Sequence, residues 1–190
     1  MSKLISVSTK KGDKGESYLI GGKKIPKSDI VFEVLGTLDE LNSHLGLVVV
    51  KIKRNPSHEL AKNANFLQEI QNTLFYLGAQ LAGSTKEKLK KPQLSKLERE
   101  ADKLQIKMAD NWIVKFVLPG GTELGAHIDI SRTVSRRLER LIVALSEKKP
   151  VPELILKYVN RLSDYLFILR CFANDRLSVE ENLFDSSKSF

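Results

Sequence analysis

Apolar side chains recur at helical spacing through most of the chain after residue 30. In the first such segment, Val34, Leu38, Leu41, Leu45 and Val48 fall on one face of a helix. The same period, interrupted by glycine, proline and short polar runs, predicts five amphipathic helices, at residues 31–52, 58–83, 94–109, 122–147 and 152–175. Five amphipathic helices joined by short links predict an all-α fold, a five-helix bundle.

The two ends of the chain lack this period. The N-terminal end is rich in glycine and lysine, which predicts a loop that can close into a short hairpin around the sequence ESYLIGGKKI. The segment WIVKFVLPGG is predicted to be extended or irregular, and the last dozen residues to form a loose tail. We therefore divide the chain into an N-terminal loop, residues 1–29, a helix-bundle domain, residues 30–178, and a C-terminal tail, residues 179–190.

The composition is that of an ordinary folded protein with a surplus of positive charge. Of the 190 residues, 42% are hydrophobic and 28% are charged, values typical of a soluble globular domain. The formal net charge of +8 favours a negatively charged partner, a class that includes nucleic acids, anionic lipids and phosphorylated small molecules. The charge alone does not choose among these partners.

Cysteine usage and hydropathy indicate the compartment. The single cysteine, Cys171, excludes an intrachain disulfide and is typical of a reducing compartment. No apolar run approaches the length of a membrane span, and the first residues lack the apolar core of a secretion signal. We expect a cytoplasmic protein without a membrane partner.

The predicted fourth helix carries a stripe of arginine in the sequence ISRTVSRRLERLIVAL. Arg132, Arg136 and Glu139 lie opposite its apolar face, and Asn160 and Asp164 occupy the reverse side of the fifth helix. Arginine is preferred where a planar group must bind phosphate or carboxylate in fixed geometry. The alternative is a solvated face with local ion pairs, each contributing about 0.2–0.5 kcal/mol.

A second candidate anion site lies in the N-terminal loop, in the sequence TKKGDKGES. Gly12 and Gly15 allow backbone N–H groups to approach an oxyanion closely, and lysines and hydroxyls flank them. The spacing is not that of a Walker P-loop. A flexible basic tail is the alternative interpretation of this stretch.

Taken together, these stretches resemble a known family. TKKGDKGES, FEVLGTLDELNSHLGL, FVLPGG, SRTVSRRLER and YVNRLSDYLFILR occur in the order and spacing of the ATP:corrinoid adenosyltransferases of the trimeric, propanediol-utilisation type. The resemblance spans residues 9–172. It implies a five-helix bundle assembled as a homotrimer, with active sites between subunits. It also implies transfer of the 5′-deoxyadenosyl group of ATP to the cobalt of cob(I)alamin, which forms adenosylcobalamin and releases triphosphate.

The resemblance also implies which residues form the site. Those around the ATP phosphates are Thr9, Lys10, Gly12, Asp13 and Gly15, with Ser17 and Lys27 nearby. Those that complete the nucleotide site are Arg132, Arg136, Glu139 and Asn160. Asp39 is implied to pair with Arg132 across the subunit boundary, and Phe116 to pack beneath the corrin. The residues implied to act in catalysis are Arg132, Arg136, Asp39 and Phe116.

The sequence departs from the family pattern beside the arginine stripe. Asp129 stands where the family often has histidine, and Ser131, Ser135 and Leu138 also differ from the usual residues. We expect Asp129 to alter the charge balance around Arg132 and therefore the affinity for phosphate.

The implied chemistry needs no nucleophile from the protein, because cob(I)alamin is itself a strong nucleophile. His44, His58 and His127 accordingly fall in no catalytic constellation. The substrates are ATP and a reduced corrinoid; Mg²⁺ is expected to bind the triphosphate while keeping few protein ligands. A corrinoid reductase is an expected partner, because cobalt must first be reduced.

The competing hypothesis is a basic, helical nucleic-acid-binding protein, with the fourth helix lying on phosphates. Such binding would weaken steeply with salt. Asp129 and Glu139 lie within the same stripe and would repel a long polyanion. The sequence therefore favours the enzyme, and we expect no nucleic-acid partner.

Overall fold

The computed structural model describes residue 10 and residues 12–55, 57–108, 116–184 and 187. Its five helices are α1 Ile30–Lys53, α2 His58–Leu81, α3 Lys91–Ile106, α4 Glu123–Ser146 and α5 Glu153–Arg176. The predicted all-α bundle is confirmed, and every helix begins and ends within three residues of the predicted position. The largest difference is in α3, which begins earlier because Pro92 occupies its first turn, where proline is well tolerated.

Short polar side chains set the start of two helices that matter for the site. The Asp29 carboxylate accepts a hydrogen bond from the Val31 N–H at the start of α1 (2.9 Å). The Thr122 hydroxyl accepts one from the Gly125 N–H at the start of α4 (2.8 Å). Each cap satisfies a backbone donor that the helix itself leaves without a partner.

The helices pack side by side around one apolar core. α1 lies between α2 and α4, α5 lies between α4 and α3, and α2 also contacts α5. The core is formed by aliphatic residues of the inward faces, among them Leu41, Leu45, Leu67, Ile70, Leu74, Leu138, Ile142, Leu162, Leu166 and Leu169. No helix in the described part of the chain is both long and apolar enough to cross a bilayer.

The N-terminal hairpin predicted around ESYLIGGKKI is present. Its strands are β1 Glu16–Tyr18 and β2 Lys24–Pro26, which pair antiparallel with Ser17 opposite Ile25. The Ile20 N–H donates to the Ala82 carbonyl just after α2 (3.0 Å). A small cavity between the hairpin and the end of α4 is lined by apolar and lysine side chains, including Leu19, Ile25, Leu145, Lys148 and Lys149. The hairpin therefore lies at the C-terminal ends of α2 and α4.

The C-terminal segment is more ordered than predicted. The Leu118 N–H donates to the Asn182 carbonyl (2.7 Å), and the Phe184 N–H donates to the Phe116 carbonyl (2.7 Å). The expectation of a loose tail is thus wrong for residues 182–184, because backbone pairing holds them against the linker before α4. The described part of WIVKFVLPGG, residues 116–121, is extended or irregular as predicted.

Asn174 attaches this linker to α5. Its side-chain oxygen accepts hydrogen bonds from the backbone N–H and the hydroxyl of Thr122 (3.0 and 2.8 Å), and its amide nitrogen donates to the Gly120 carbonyl (3.1 Å). The side chain is buried and lies directly against Gly125, where a Cβ atom would collide with the amide oxygen. The start of α4 therefore requires a residue without a side chain at this position.

Two glycine-to-alanine substitutions in buried helical positions test this contact. We expect Gly125→Ala to lower the free energy of unfolding by about 1–3 kcal/mol, because Asn174 or the linker must shift. Gly78→Ala is the control, since its Cβ would meet the Leu38 methyl groups at 3.6 and 3.7 Å, an ordinary packing distance. The control should be neutral or raise stability by up to about 1 kcal/mol. Denaturant unfolding measures both, and equal effects would contradict the proposed collision.

Candidate active site

The outer side of α4 meets the reverse side of α5 through one hydrogen bond. The Asn160 amide nitrogen donates to the Glu139 carboxylate (2.9 Å), and the Asn160 oxygen accepts from Arg161 (2.9 Å). Two residues that the sequence assigned to one site are therefore in contact. Asp164 lies one turn further along α5, and partial burial raises its pKa, an effect that Arg161 opposes.

The arginines of α4 differ in their partners. Arg137 pairs with Glu40 of α1. Arg136 is exposed, and its guanidinium group forms no ion pair within the part of the chain that the structure describes. The local pairing of Arg136 with Glu139, which the solvated-face alternative would favour, is not formed. Arg136 is therefore available to bind an anion.

Arg132 is oriented by a carboxylate of its own helix. Its Nε donates to Oδ1 of Asp129 (3.0 Å), one turn earlier. Asp129 is only 6% exposed, and its Oδ2 accepts from Nε of Arg170 (3.1 Å) and from the Gly120 N–H (3.3 Å). Because the contact uses Nε, the terminal nitrogens of Arg132 are left to bind a second acceptor. Asp129 is thus in direct contact with Arg132, and its expected effect on phosphate affinity stays a prediction.

Asp39 and Arg132 are not brought together within one chain. Asp39 is exposed on α1, next to the Glu40 that pairs with Arg137, and it forms no ion pair among the described residues. Arg132 is held by Asp129 instead. The implied pair between Asp39 and Arg132 was assigned to two different subunits, so it stays a prediction.

The N-terminal loop forms a compact turn against β2. The Gly15 N–H donates to the Gly12 carbonyl (3.2 Å), and the Lys27 N–H donates to the Gly15 carbonyl (2.8 Å). The Lys27 ammonium lies 2.9 Å from where a Cβ of Gly12 would be, so a larger residue there would push the lysine side chain aside. Gly15 has a φ of 77°, which favours glycine.

The remaining loop residues named from the sequence are spread around this turn. Lys10 and Asp13 are exposed, and Ser17 lies in β1. Thr9 lies outside the described residues. The structure therefore brings Gly12, Gly15 and Lys27 together, while Lys10 and Asp13 are exposed and Ser17 is half-buried.

The hairpin and the arginines do not meet in one chain. The hairpin packs near Leu145, and Arg132 precedes Leu145 by thirteen residues, which is about 20 Å along a helix. Within the described ranges, no hydrogen bond or ion pair joins the hairpin to Arg132, Arg136 or Glu139. The two candidate anion sites therefore stand apart on the same molecule.

Phe116 lies among exposed apolar residues of the linker and the tail. Its side chain is 85% exposed, and the nearby Leu118, Leu183 and Phe184 are also largely exposed. A shallow depression next to the linker is lined by Pro119, Gly120, Ala126, Asp129, Ile130 and Thr133. Large apolar side chains exposed on two neighbouring backbone segments make this surface a candidate binding site.

Sequence reasoning missed Arg170 and the tail residues that contact the linker. Arg170 was given no role in the sequence analysis, yet it is the largest fully buried side chain of the molecule's described part. The signal was an arginine inside the apolar run FILRCFA, where an unpaired charge would be strongly unfavourable. In the described residues, no group of three histidine, cysteine or acidic side chains is arranged to hold a metal ion.

Comparison with known proteins supports the resemblance seen in the sequence. The family model described as cobalamin adenosyltransferase matches residues 7–173. The corrinoid adenosyltransferase of Bacillus subtilis is 37% identical over 182 residues, covering 94% of this chain and 92% of the relative. That of Citrobacter freundii is 34% identical over 171 residues, covering 86% of this chain and 92% of the relative. The human relative is 33% identical over 191 residues, covering 96% of this chain and 74% of the relative.

Solved structures with the same fold hold both expected substrates. A variant of the PduO-type ATP:corrinoid adenosyltransferase from Lactobacillus reuteri, complexed with cobalamin and ATP, is 32% identical and matches with a TM-score of 0.85. The match covers 95% of this chain and 100% of that one. A second variant complexed with ATP is 33% identical, with a TM-score of 0.83 and the same coverage. From the family match and these relatives together, this chain belongs to the cobalamin adenosyltransferase family.

Proposed function

We propose that this protein transfers the 5′-deoxyadenosyl group of ATP to the cobalt of cob(I)alamin. The observation that carries the proposal is the family match over residues 7–173, nearly the whole chain. In this reaction the Co(I) electron pair attacks C5′, a Co–C bond forms, and the C5′–O bond breaks. The bonding electrons leave with triphosphate, so the products are adenosylcobalamin and triphosphate.

The leaving group determines what the protein must supply. Triphosphate gains negative charge as the C5′–O bond breaks, and fixed positive donors stabilise that charge more than water does. Arg136, which lacks a carboxylate partner in the described chain, and the terminal nitrogens of Arg132 are such donors. Both sit on one rigid helix, so little reorganisation is needed during the reaction.

Glu139 and Asn160 hold the nucleotide side of the site in a fixed arrangement. Their hydrogen bond joins α4 to α5 beside Arg136. A carboxylate has lone pairs for several donors, so Glu139 can also accept from hydroxyl or amino groups of the nucleotide. The pair thereby orients C5′ toward the cobalt, and such alignment contributes substantially to catalysis.

A second copy of the chain completes the site. Lys27 and Arg136 are exposed and Arg132 is half-buried, yet the glycine turn lies far from these arginines on one molecule. A homotrimer with repeating head-to-tail contacts would bring the hairpin or Asp39 of one subunit to α4 of the next. Lys10, Gly12, Asp13, Gly15 and Ser17 then surround the phosphates together with Thr9, whose position remains an expectation from the sequence.

Phe116 provides the corrinoid side of the site. An aromatic ring that is 85% exposed in the isolated chain gains a partner when it packs against the apolar lower face of the corrin. There it can keep a lower axial ligand or a water molecule away from cobalt. Removal of that ligand makes reduction to Co(I) easier, which helps a corrinoid reductase deliver the electron.

Mg²⁺ is proposed to enter with the triphosphate. The described chain offers no cluster of three metal-binding side chains, and Mg²⁺ commonly keeps several waters while bound by phosphate oxygens. We therefore expect phosphate oxygens and water molecules, rather than protein side chains, to supply most of the Mg²⁺ ligands. A cytoplasmic location remains the expectation from the sequence.

Removal of one arginine tests the triphosphate role directly. We expect Arg132→Ala to lower kcat about 100- to 1,000-fold with chemically reduced cob(I)alamin, because a donor to the leaving group is lost. The assay follows loss of the cob(I)alamin absorbance band and release of triphosphate under anaerobic conditions. The control, Arg99→Ala, removes an exposed arginine of α3 and should retain native activity. Native-like turnover by Arg132→Ala would refute the assigned role.

Mixed trimers test whether the site is shared between subunits. Asp39→Asn and Arg132→Ala should each be inactive alone, because every interface then lacks one member of the proposed pair. Co-expression in equal amounts should restore about a quarter of native activity, since that share of interfaces receives both native residues. Absence of any recovery in verified mixed trimers would argue against a site built from these two subunits.

Ligand-dependent melting separates the enzyme from a nucleic-acid-binding protein. We expect Mg-ATP to raise Tm, because a ligand that binds only the folded state stabilises it. Duplex DNA at the same phosphate concentration should leave Tm unchanged. Stabilisation by DNA and not by ATP would favour the nucleic-acid alternative, which no comparison supports.

A further inference from the structure

Arg170 is a buried charge with every nitrogen engaged. The residue is 0% exposed, and a buried guanidinium group is strongly unfavourable unless it is paired and hydrogen-bonded. Its Nε donates to Asp129 (3.1 Å), and its Nη1 forms an ion pair with Glu181. Its Nη2 donates to the carbonyls of Leu118 (2.9 Å) and Gly120 (3.2 Å).

These partners belong to three separate segments of the chain. Asp129 lies in α4, Leu118 and Gly120 lie in the linker that carries Phe116, and Glu181 lies in the tail. The tail residues that follow Glu181 pair with the linker through the backbone at Leu118 and Phe116. Arg170 therefore holds the Phe116 segment both directly and through the tail, alongside Asn174 of the same helix, which donates to Gly120 and Glu181.

The same side chain reaches the arginine stripe. Asp129 binds Arg170 with one carboxylate oxygen and Arg132 with the other. A row of alternating charges, two positive and two negative, thus runs through Arg132, Asp129, Arg170 and Glu181. If the guanidinium donors of Arg170 are removed, the Asp129 carboxylate is no longer held on one side and can rotate. Arg132, which binds the other carboxylate oxygen, then loses its fixed orientation.

We propose that Arg170 is a positioning residue that couples the Arg132 side of the site, which binds ATP, to the Phe116 segment, which faces the corrinoid. This inference rests on the proposed function. Arg170 is buried and touches neither substrate, so it acts only through Asp129, the linker and Glu181. A disturbance at Arg170 itself is therefore felt on both sides, by ATP through Asp129 and by the corrinoid through the linker and Glu181.

Arg170→Lys tests the coupling while retaining the positive charge. We expect the KM values for ATP and for the corrinoid both to rise about tenfold or more, the change expected when a charge-assisted hydrogen bond is lost. Arg176→Lys is the matched control on the same helix. Arg176 pairs with Glu59, lies over the Phe172 ring and donates to the Lys107 carbonyl. It contacts none of the described partners of Arg170, so both KM values should stay native.

The Glu181→Gln variant tests the corrinoid side of the row separately from the ATP side. It removes the tail charge but leaves the contact between Arg170 and Asp129 intact, so the KM for the corrinoid should rise while the KM for ATP stays native. Hydrogen exchange at the Leu118 and Phe184 amides should quicken in this variant without substrate present. The spectrum of bound cob(II)alamin should shift toward the form that retains a lower axial ligand.

The outcomes distinguish this inference from the proposed function. An inactive native protein would overturn both. If the native protein is active and the folded Arg170→Lys variant has unchanged KM values, the coupling alone is overturned. A fall in Tm with unchanged kinetics and unchanged amide exchange in both variants would likewise show that Arg170 has only a structural role.

Discussion

The candidate site depends on one buried carboxylate shared by two guanidinium groups. The Asp129 carboxylate pairs with Arg132 at one oxygen and with Arg170 at the other, and Arg170 in turn pairs with Glu181, because an unpaired charge in the interior is strongly unfavourable. These contacts fix α4, α5 and the linker relative to one another. The direction of Arg132 and the position of Phe116 are then consequences of a single requirement, that no charge be buried alone.

The helices could be predicted from the sequence because the apolar period reports burial directly. Leu38, Leu41 and Leu45 line the face of α1 that enters the core, as their spacing indicated. The pairing of residues 182–184 with the linker could not be predicted in this way. It is made by backbone groups of a short segment, and two or three hydrogen-bonded residues leave no repeating side-chain pattern.

The site was predictable where its residues share a helix face and less so elsewhere. Placing Glu139 and Asn160 on outer stripes of adjacent helices put them near one another, and the structure joins them by a hydrogen bond. Asp129 was recognised from the sequence as a departure from the family pattern. Its second partner, Arg170, was not recognised, because Arg170 follows an apolar run that is typical of a buried core. The separation of the hairpin from Arg132 depends on tertiary packing, and helical periodicity carries no information about it.

The shared carboxylate also limits how this sequence can change over time. A substitution at Asp129 alone leaves Arg170 with one fewer counter-charge in the core, and a substitution at Arg170 alone leaves Asp129 in the same position. Either single step passes through a less stable protein, so the two positions are expected to co-vary. A lineage with histidine at the position of Asp129 has no counter-charge there for an arginine in α5, and selection would favour an uncharged residue in its place.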